Sequence, residues 1–153
     1  MSYQAPQIVS IEPHGPGQNL FSHVNDYTNA VLAQATVQEP TYLFAQVLGS
    51  RDEIRASIDL IHEHNPNASI LFIGHDAMPG RTYFVAHCSE SCQNVGLRAN
   101  DWIRHIGSRC HMIGGGTGPH AEGHCPLMCI FSQDFNNVLT SALSFANVKL
   151  GYQ

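Results

Sequence analysis

Four glycines fall within five positions, Gly114, Gly115, Gly116 and Gly118, and no other feature limits the folding options of this chain as sharply. Each glycine loses more backbone entropy on ordering than any other residue and brings no side chain to pack. Such a run is therefore not expected inside a helix or a strand. It reads as a glycine-rich loop that takes φ > 0 and brings bare N–H groups close to an anion or a nucleic-acid phosphate. A mobile surface turn is the other reading that glycine content allows. No G-K-[ST] follows, so the stretch Met112 to Gly123 (M-I-G-G-G-T-G-P-H-A-E-G) is not a P-loop. Nor does it open a helix after a strand as the dinucleotide G-x-G-x-x-G must.

The segments around it alternate between strand and helix signals. Residues 1–19 hold Pro6, Pro13, Gly15, Pro16 and Gly17, a loop composition with one short strand expected at Gln7–Ile11. A helix is expected over 21–35, on Phe21, Val24, Val31 and Ala35. Thr41 to Leu48 reads as a buried strand. Ser50-Arg51-Asp52-Glu53 is a capping box, and the helix it starts aligns Ile54, Ile58 and Ile61 before stopping near Asn65-Pro66. Ala68 to Gly74 is a strand, Met78-Pro79-Gly80 a turn, and Thr82 to Cys88 its hairpin partner. Asn100 or Asp101 caps a second helix with Trp102, Ile103, Ile106 and Cys110 inside and Arg104, His105, Ser108 and Arg109 outside. A third, near Asp134 to Val148, buries Phe135, Val138, Leu139, Ala142 and Ala146. The expected fold is α/β: a single layered domain with a small mixed β-sheet, helices packed on it and the glycine-rich loop.

At 153 residues the chain is long enough for one domain with its own core. Seven Lys and Arg face twelve Asp and Glu, a formal charge of −5. That argues against a protein whose main work is gripping a nucleic-acid backbone. The one locally basic stretch adjoins the glycines: Arg98, Arg104 and Arg109 against Asp101 alone between Arg98 and His120. It suits weak, localised phosphate contact; a solvated helix face is the plainer reading of the same arginines. The five cysteines (88, 92, 110, 125, 129) are odd in number and no signal peptide precedes them, so an intracellular protein with reduced thiols is expected. No apolar run reaches transmembrane length.

His120, His124, Cys125 and Cys129 form H-x-x-x-H-C-x-x-x-C, a set of zinc-type donors. Against a metal site, the C-x-x-C spacing of structural zinc is absent, and Gly123 and Pro126 disfavour the helix that would align the histidines. Cys88 reads as a buried small hydrophobe, Trp102 as core, and His62 and His64 as last-turn residues complementing a helix dipole.

The order L-G-S-R-D-E-I-R (48–55), N-P-N-A-S-I-L-F-I (65–73), N-V-G-L-R-A-N-D-W-I (94–103), G-G-G (114–116), A-E-G (121–123) and S-F-A-N-V-K-L-G (144–151) resembles the C-terminal globular domain of alanyl-tRNA synthetase. That domain, C-Ala, is of the DHH-associated type, and its eukaryotic form is the one most resembled. The resemblance runs from Leu48 to Gly151. It implies an N-terminal extension over 1–40, with a short helix, and a C-Ala-like domain over 41–153. The implied function is non-catalytic: binding the tRNA elbow, where the D and T loops meet, to assist aminoacylation and editing by an alanine–tRNA ligase. The implied contacts are Gly114, Gly115, Gly116, Thr117, Arg98, Arg104 and Arg109. The implied partners are tRNA(Ala), held weakly, the rest of the synthetase and a second copy in a homodimer, with no membrane and no cofactor, in the cytoplasm or in mitochondria. Two features depart from the family: Thr117 stands where G-G-G-[RK] is usual, and Cys125 to Asp134 is longer and more apolar. They favour an alternative, a protein-interaction or dimerisation module with weakened or lost tRNA binding.

Overall fold

The computed structural model describes residues 20, 21, 23–33, 36, 38–76, 80–128 and 132–151. The strand expected at Gln7–Ile11 and the Met78-Pro79 turn lie outside them. The elements in chain order are β1 (Leu20–Phe21), α1 (Val24–Leu32), β2 (Thr41–Val47), α2 (Arg51–His64), β3 (Ala68–Asp76), β4 (Arg81–His87), α3 (Glu90–Val95), α4 (Ala99–Gly107), β5 (Ile113–Gly116), β6 (His120–Pro126) and α5 (Gln133–Leu150). The strands form one six-stranded sheet in the order β1-β2-β3-β4-β6-β5. The first three are parallel and the remaining pairs antiparallel, so the sheet is mixed.

Strand alternation sorts the apolar side chains into two cores. Leu43, Ala45 and Val47 of β2, Ile70 and Phe72 of β3, and Tyr83 and Val85 of β4 meet Val24, Tyr27 and Val31 of α1 and Ile54, Ile58 and Ile61 of α2. Their strand neighbours Tyr42, Phe44, Leu71, Ile73, Phe84 and Ala86 point the other way, against α3, α4 and α5. Both faces of β2 and β3 are covered, which is why these segments read as continuous apolar runs. The result is a three-layer α/β/α domain. The chain segment before Thr41 shares in it: Val24, Tyr27 and Val31 are fully buried.

The helix ends follow from local chemistry. Ser50 and Glu53 close the capping box of α2, and His62 and His64 occupy its last turn. Ser132 accepts from the amide of Phe135 at the start of α5, which ends on Gly151 at φ 80. Trp102 is fully buried, and its indole N–H donates to the Ala142 carbonyl at 3.0 Å, fastening α4 to α5. α4 begins slightly earlier than its sequence signals suggest, with Arg98 rather than Asn100 or Asp101 at its N-cap, and no side chain caps it. The short helix α3, capped by Ser89, adds an element that the sequence does not announce.

The glycine run is the main correction. Gly114, Gly115 and Gly116 are not a loop but most of strand β5, paired with β6 in the register Gly114↔Gly123, Gly115↔Glu122 and Gly116↔Ala121. None of the three takes positive φ. They are needed for close approach instead. A Cβ at Gly114 would fall on the backbone of Glu122 and Gly123, and one at Gly116 on that of His120 and Ala121. Pairing in the sheet offsets the entropy that glycine loses on ordering.

Candidate nucleic-acid interface

β5 is the last strand of the sheet, so one of its edges is open. The Thr117 amide donates to the His120 carbonyl at 2.8 Å. Antiparallel alternation then turns the Gly115 and Ile113 groups toward β6 and leaves those of Gly114 and Gly116 facing outward. Beyond this bare backbone lies α4. Gly114, Gly115, Gly116 and Met112 on one side, and Asn100, Ile103, Arg104, Gly107 and Ser108 on the other, line a groove of about 510 Å³. Its chemistry is mixed: outward peptide groups, a guanidinium, an amide, a hydroxyl and an apolar floor. That combination suits a sugar–phosphate strand with an unstacked base better than it suits a small apolar ligand.

The strand and the helix are locked together at one end. The carbonyls of Gly118 and Thr117 accept from the amides of Ala99, at 2.7 Å, and Asn100, at 3.1 Å. These carbonyls replace the missing side-chain cap of α4 and occupy first-turn amides that would otherwise be open to an anion. A Cβ at Gly118 would meet the side-chain ends of Gln93 and Arg98, which would have to shift.

The expected contact residues therefore separate. Gly114, Gly115, Gly116 and Arg104 share the groove. Arg104 is 78% exposed, with Asp101 3.6 Å away. Arg98 lies across Gly118 at the locked end, and Thr117 spends its amide on the turn into β6. Arg109 is not brought to the glycines. It lines a second cavity, of about 780 Å³, with Cys110, Cys125, Leu127, Met128 and Asp134. His105, expected on the outer face of its helix, instead hydrogen-bonds Ser141 at 2.8 Å and stacks on Phe145 at 4.5 Å in the contact with α5. Burial, with Arg109 nearby, lowers its pKa.

Asn100 reads from sequence as a cap, and nothing in its local pattern marks its place in the groove. It lines the groove, but its side-chain oxygen is buried away from solvent and has no hydrogen-bond partner among the described residues. Ser108 and Met112 join it there; neither residue type carries a sequence signal of its own.

The opposite face of β6 has different chemistry. Arg55 of α2 makes a bidentate pair with Glu122, at 2.9 and 2.7 Å, and His120 approaches the same carboxylate at 2.6 Å. The bond from Arg55, ahead of that from His120, holds the Glu122 carboxyl down at about 2. His87 beside them is pushed down to about 4 by burial first, then by His62 and His120. The set His120, His124, Cys125 does not converge: the histidines share a face with Glu122, while Cys125 belongs to the opposite core with Ala121. Cys129 lies outside the described residues.

No protein-family model matches the chain, and no curated protein matches its sequence. Comparison with solved structures does find similarity. The chain is similar to the C-Ala domain from Aquifex aeolicus alanyl-tRNA synthetase, with a TM-score of 0.52 and 16% identity over 70% of this chain and 96% of that one. It is also similar to the DHH domain of a member of a family of ribosomal proteins (TM-score 0.46, 13% identity, 79% of this chain and 30% of that one). A pGpG-specific phosphodiesterase from Vibrio cholerae matches at TM-score 0.45 and 11% identity, over 82% of this chain and 40% of its own length. What the chain shares with the C-Ala domain is the fold.

Proposed function

We propose that this chain is a non-catalytic tRNA-binding domain of the C-Ala type, which grips the elbow of tRNA(Ala) and so assists aminoacylation and editing by an alanine–tRNA ligase. One observation carries it: the bare edge of β5 and the outer side of α4 form a single groove holding outward peptide groups and the exposed guanidinium of Arg104. The similarity in fold to a C-Ala domain supports the same reading. Backbone and guanidinium groups would position phosphates, while the apolar floor receives the face of a loop base. The test is binding of the purified chain to tRNA(Ala) and to a tRNA(Ala) variant whose D and T loops cannot meet. Clear preference for the intact elbow is expected, with no ATP–pyrophosphate exchange and no deacylation of mischarged tRNA. Equal affinity for the two RNAs, or no binding at low salt, overturns the proposal.

A second reading has its own observation. The open edge strand β5 begins with Ile113, 72% exposed. An unpaired edge beside an exposed apolar side chain is a template for strand addition. It would serve a homodimer or contact with the rest of a synthetase. A concentration-dependent dimer lost on Ile113→Lys would favour it over RNA binding.

A further inference from the structure

We propose that Cys110 and Cys125 are a redox-modification site, at which a hydroperoxide oxidises the two thiols to a disulfide tying the turn after α4 to β6. Nothing in this depends on RNA binding. Cys110 is half-buried in the turn that follows α4, and Cys125 is buried in β6. Both open onto the cavity of about 780 Å³ that also holds Arg109. The two thiols are close enough to interact, and the S–H of Cys110 donates to the Ile106 carbonyl at 3.5 Å. The pairing of Ile113 with His124 brings the preceding turn alongside the end of β6, so the contact follows from sheet register rather than from a side chain that happens to reach across.

The two sulfurs are unequal. The interaction between them lowers the pKa of the Cys125 thiol and raises that of Cys110, whose proton is held on the Ile106 carbonyl. Cys125 is thus the attacking sulfur. Its thiolate takes the terminal oxygen of the hydroperoxide, the O–O bond breaks, and the alkoxide or hydroxide leaves with a proton. Cys110 then gives up its own proton and attacks the sulfenic sulfur, expelling hydroxide that leaves as water. In balance, two thiols lose two electrons and two protons, and the hydroperoxide becomes an alcohol (or water) and one further water. The covalent loop would enclose all of β5, and the turn it anchors follows Gly107 at the end of α4 and begins with Ser108, both of which wall the two cavities.

Cys88 and Cys92 are the internal contrast. Both are buried, burial pushes Cys88 up to about 12, and the Cys92 thiol donates to the Thr41 carbonyl at 3.2 Å. Neither lines that cavity.

The full chain is treated with hydrogen peroxide under native conditions, alkylated in denaturant and mapped by peptide mass. The expected result is one intramolecular link between Cys110 and Cys125, reversed by dithiothreitol, with Cys88 and Cys92 alkylated. Oxidised protein should melt higher by roughly 5 °C or more, because the link constrains the unfolded chain. Cys129→Ser should keep both the link and the rise; Cys110→Ser, at a half-buried position, should lose both while folding normally. A link through Cys129 instead, only intermolecular products, or Cys110 and Cys125 both remaining alkylatable after peroxide overturns the proposal.

Discussion

At the scale of single residues, the glycines of β5 have unequal duties. Gly114 and Gly116 are held by the backbone of β6, whereas a Cβ at Gly115 would meet nothing within 4 Å. Gly116→Ala should therefore force β5 off its partner and cost about 1–3 kcal/mol, as overpacked sites do. Gly115→Ala should leave thermal unfolding within about 0.5 kcal/mol of the parent. Equal melting temperatures for the two variants would contradict the strand geometry. His87 supplies a second residue-level test. Its folded pKa of about 4 lies below the ordinary 6.5, so the unfolded chain takes up the proton first. The stability it contributes is present above pH 6.5 and is lost as pH falls toward 4. His75, lowered by burial, acts in the same direction. Glu122, about 2 folded against 4.5 unfolded, adds its loss only below pH 4.5. Because the Nε2 of His87 has no hydrogen-bond partner among the described residues, His87→Leu should fold and flatten the slope between pH 6.5 and 4.5 in denaturant titrations. An unchanged slope would assign the effect elsewhere.

At the scale of elements, α2 and α5 and the strands β2, β3 and β4 are the legible part. Ser50 with Glu53, the isoleucines of α2 and the apolar stripe of α5 each carry a strong local signal, and their bounds fall within a few residues of expectation. The capping box adds two hydrogen bonds at an exposed end, so Ser50→Ala should lower stability by about 1 kcal/mol without altering the fold, visible as a shifted denaturation midpoint at constant m. No shift would mean that packing of Ile54 alone sets the start of α2. β5 and β6 are not legible as strands. Strand recognition needs side chains that alternate in polarity, and a glycine run has none. In β6, His120, Glu122 and His124 do alternate with Ala121, Gly123 and Cys125, but the inner set is small enough to hide the pattern. The groove follows the same divide: Arg104 and the glycines can be grouped from sequence, whereas the roles of Asn100, Ser108 and Met112 depend on how β5 docks beside α4.

At the scale of the whole molecule, charge decides how an RNA could be held. A chain of net charge −5 with one lysine has no broad positive field, so binding must come from a few contacts at one place. Sequence proximity suggests three arginines beside the glycines. The fold keeps Arg104 in the groove and Arg98 at its locked end, and turns Arg109 toward the other cavity. With two ion pairs at ~0.9 each, log K for tRNA(Ala) against log salt should have a slope of about −2, shallower than the three-contact limit near −3. Arg104→Ala should weaken binding and bring the slope to about −1. Its melting temperature should barely move, since the exposed pair with Asp101 is worth little. Arg109→Ala should change neither the slope nor the affinity. If Arg109→Ala flattens the slope while Arg104→Ala does not, the RNA lies in the cavity between α4, β6 and α5, and the groove along β5 is not the interface.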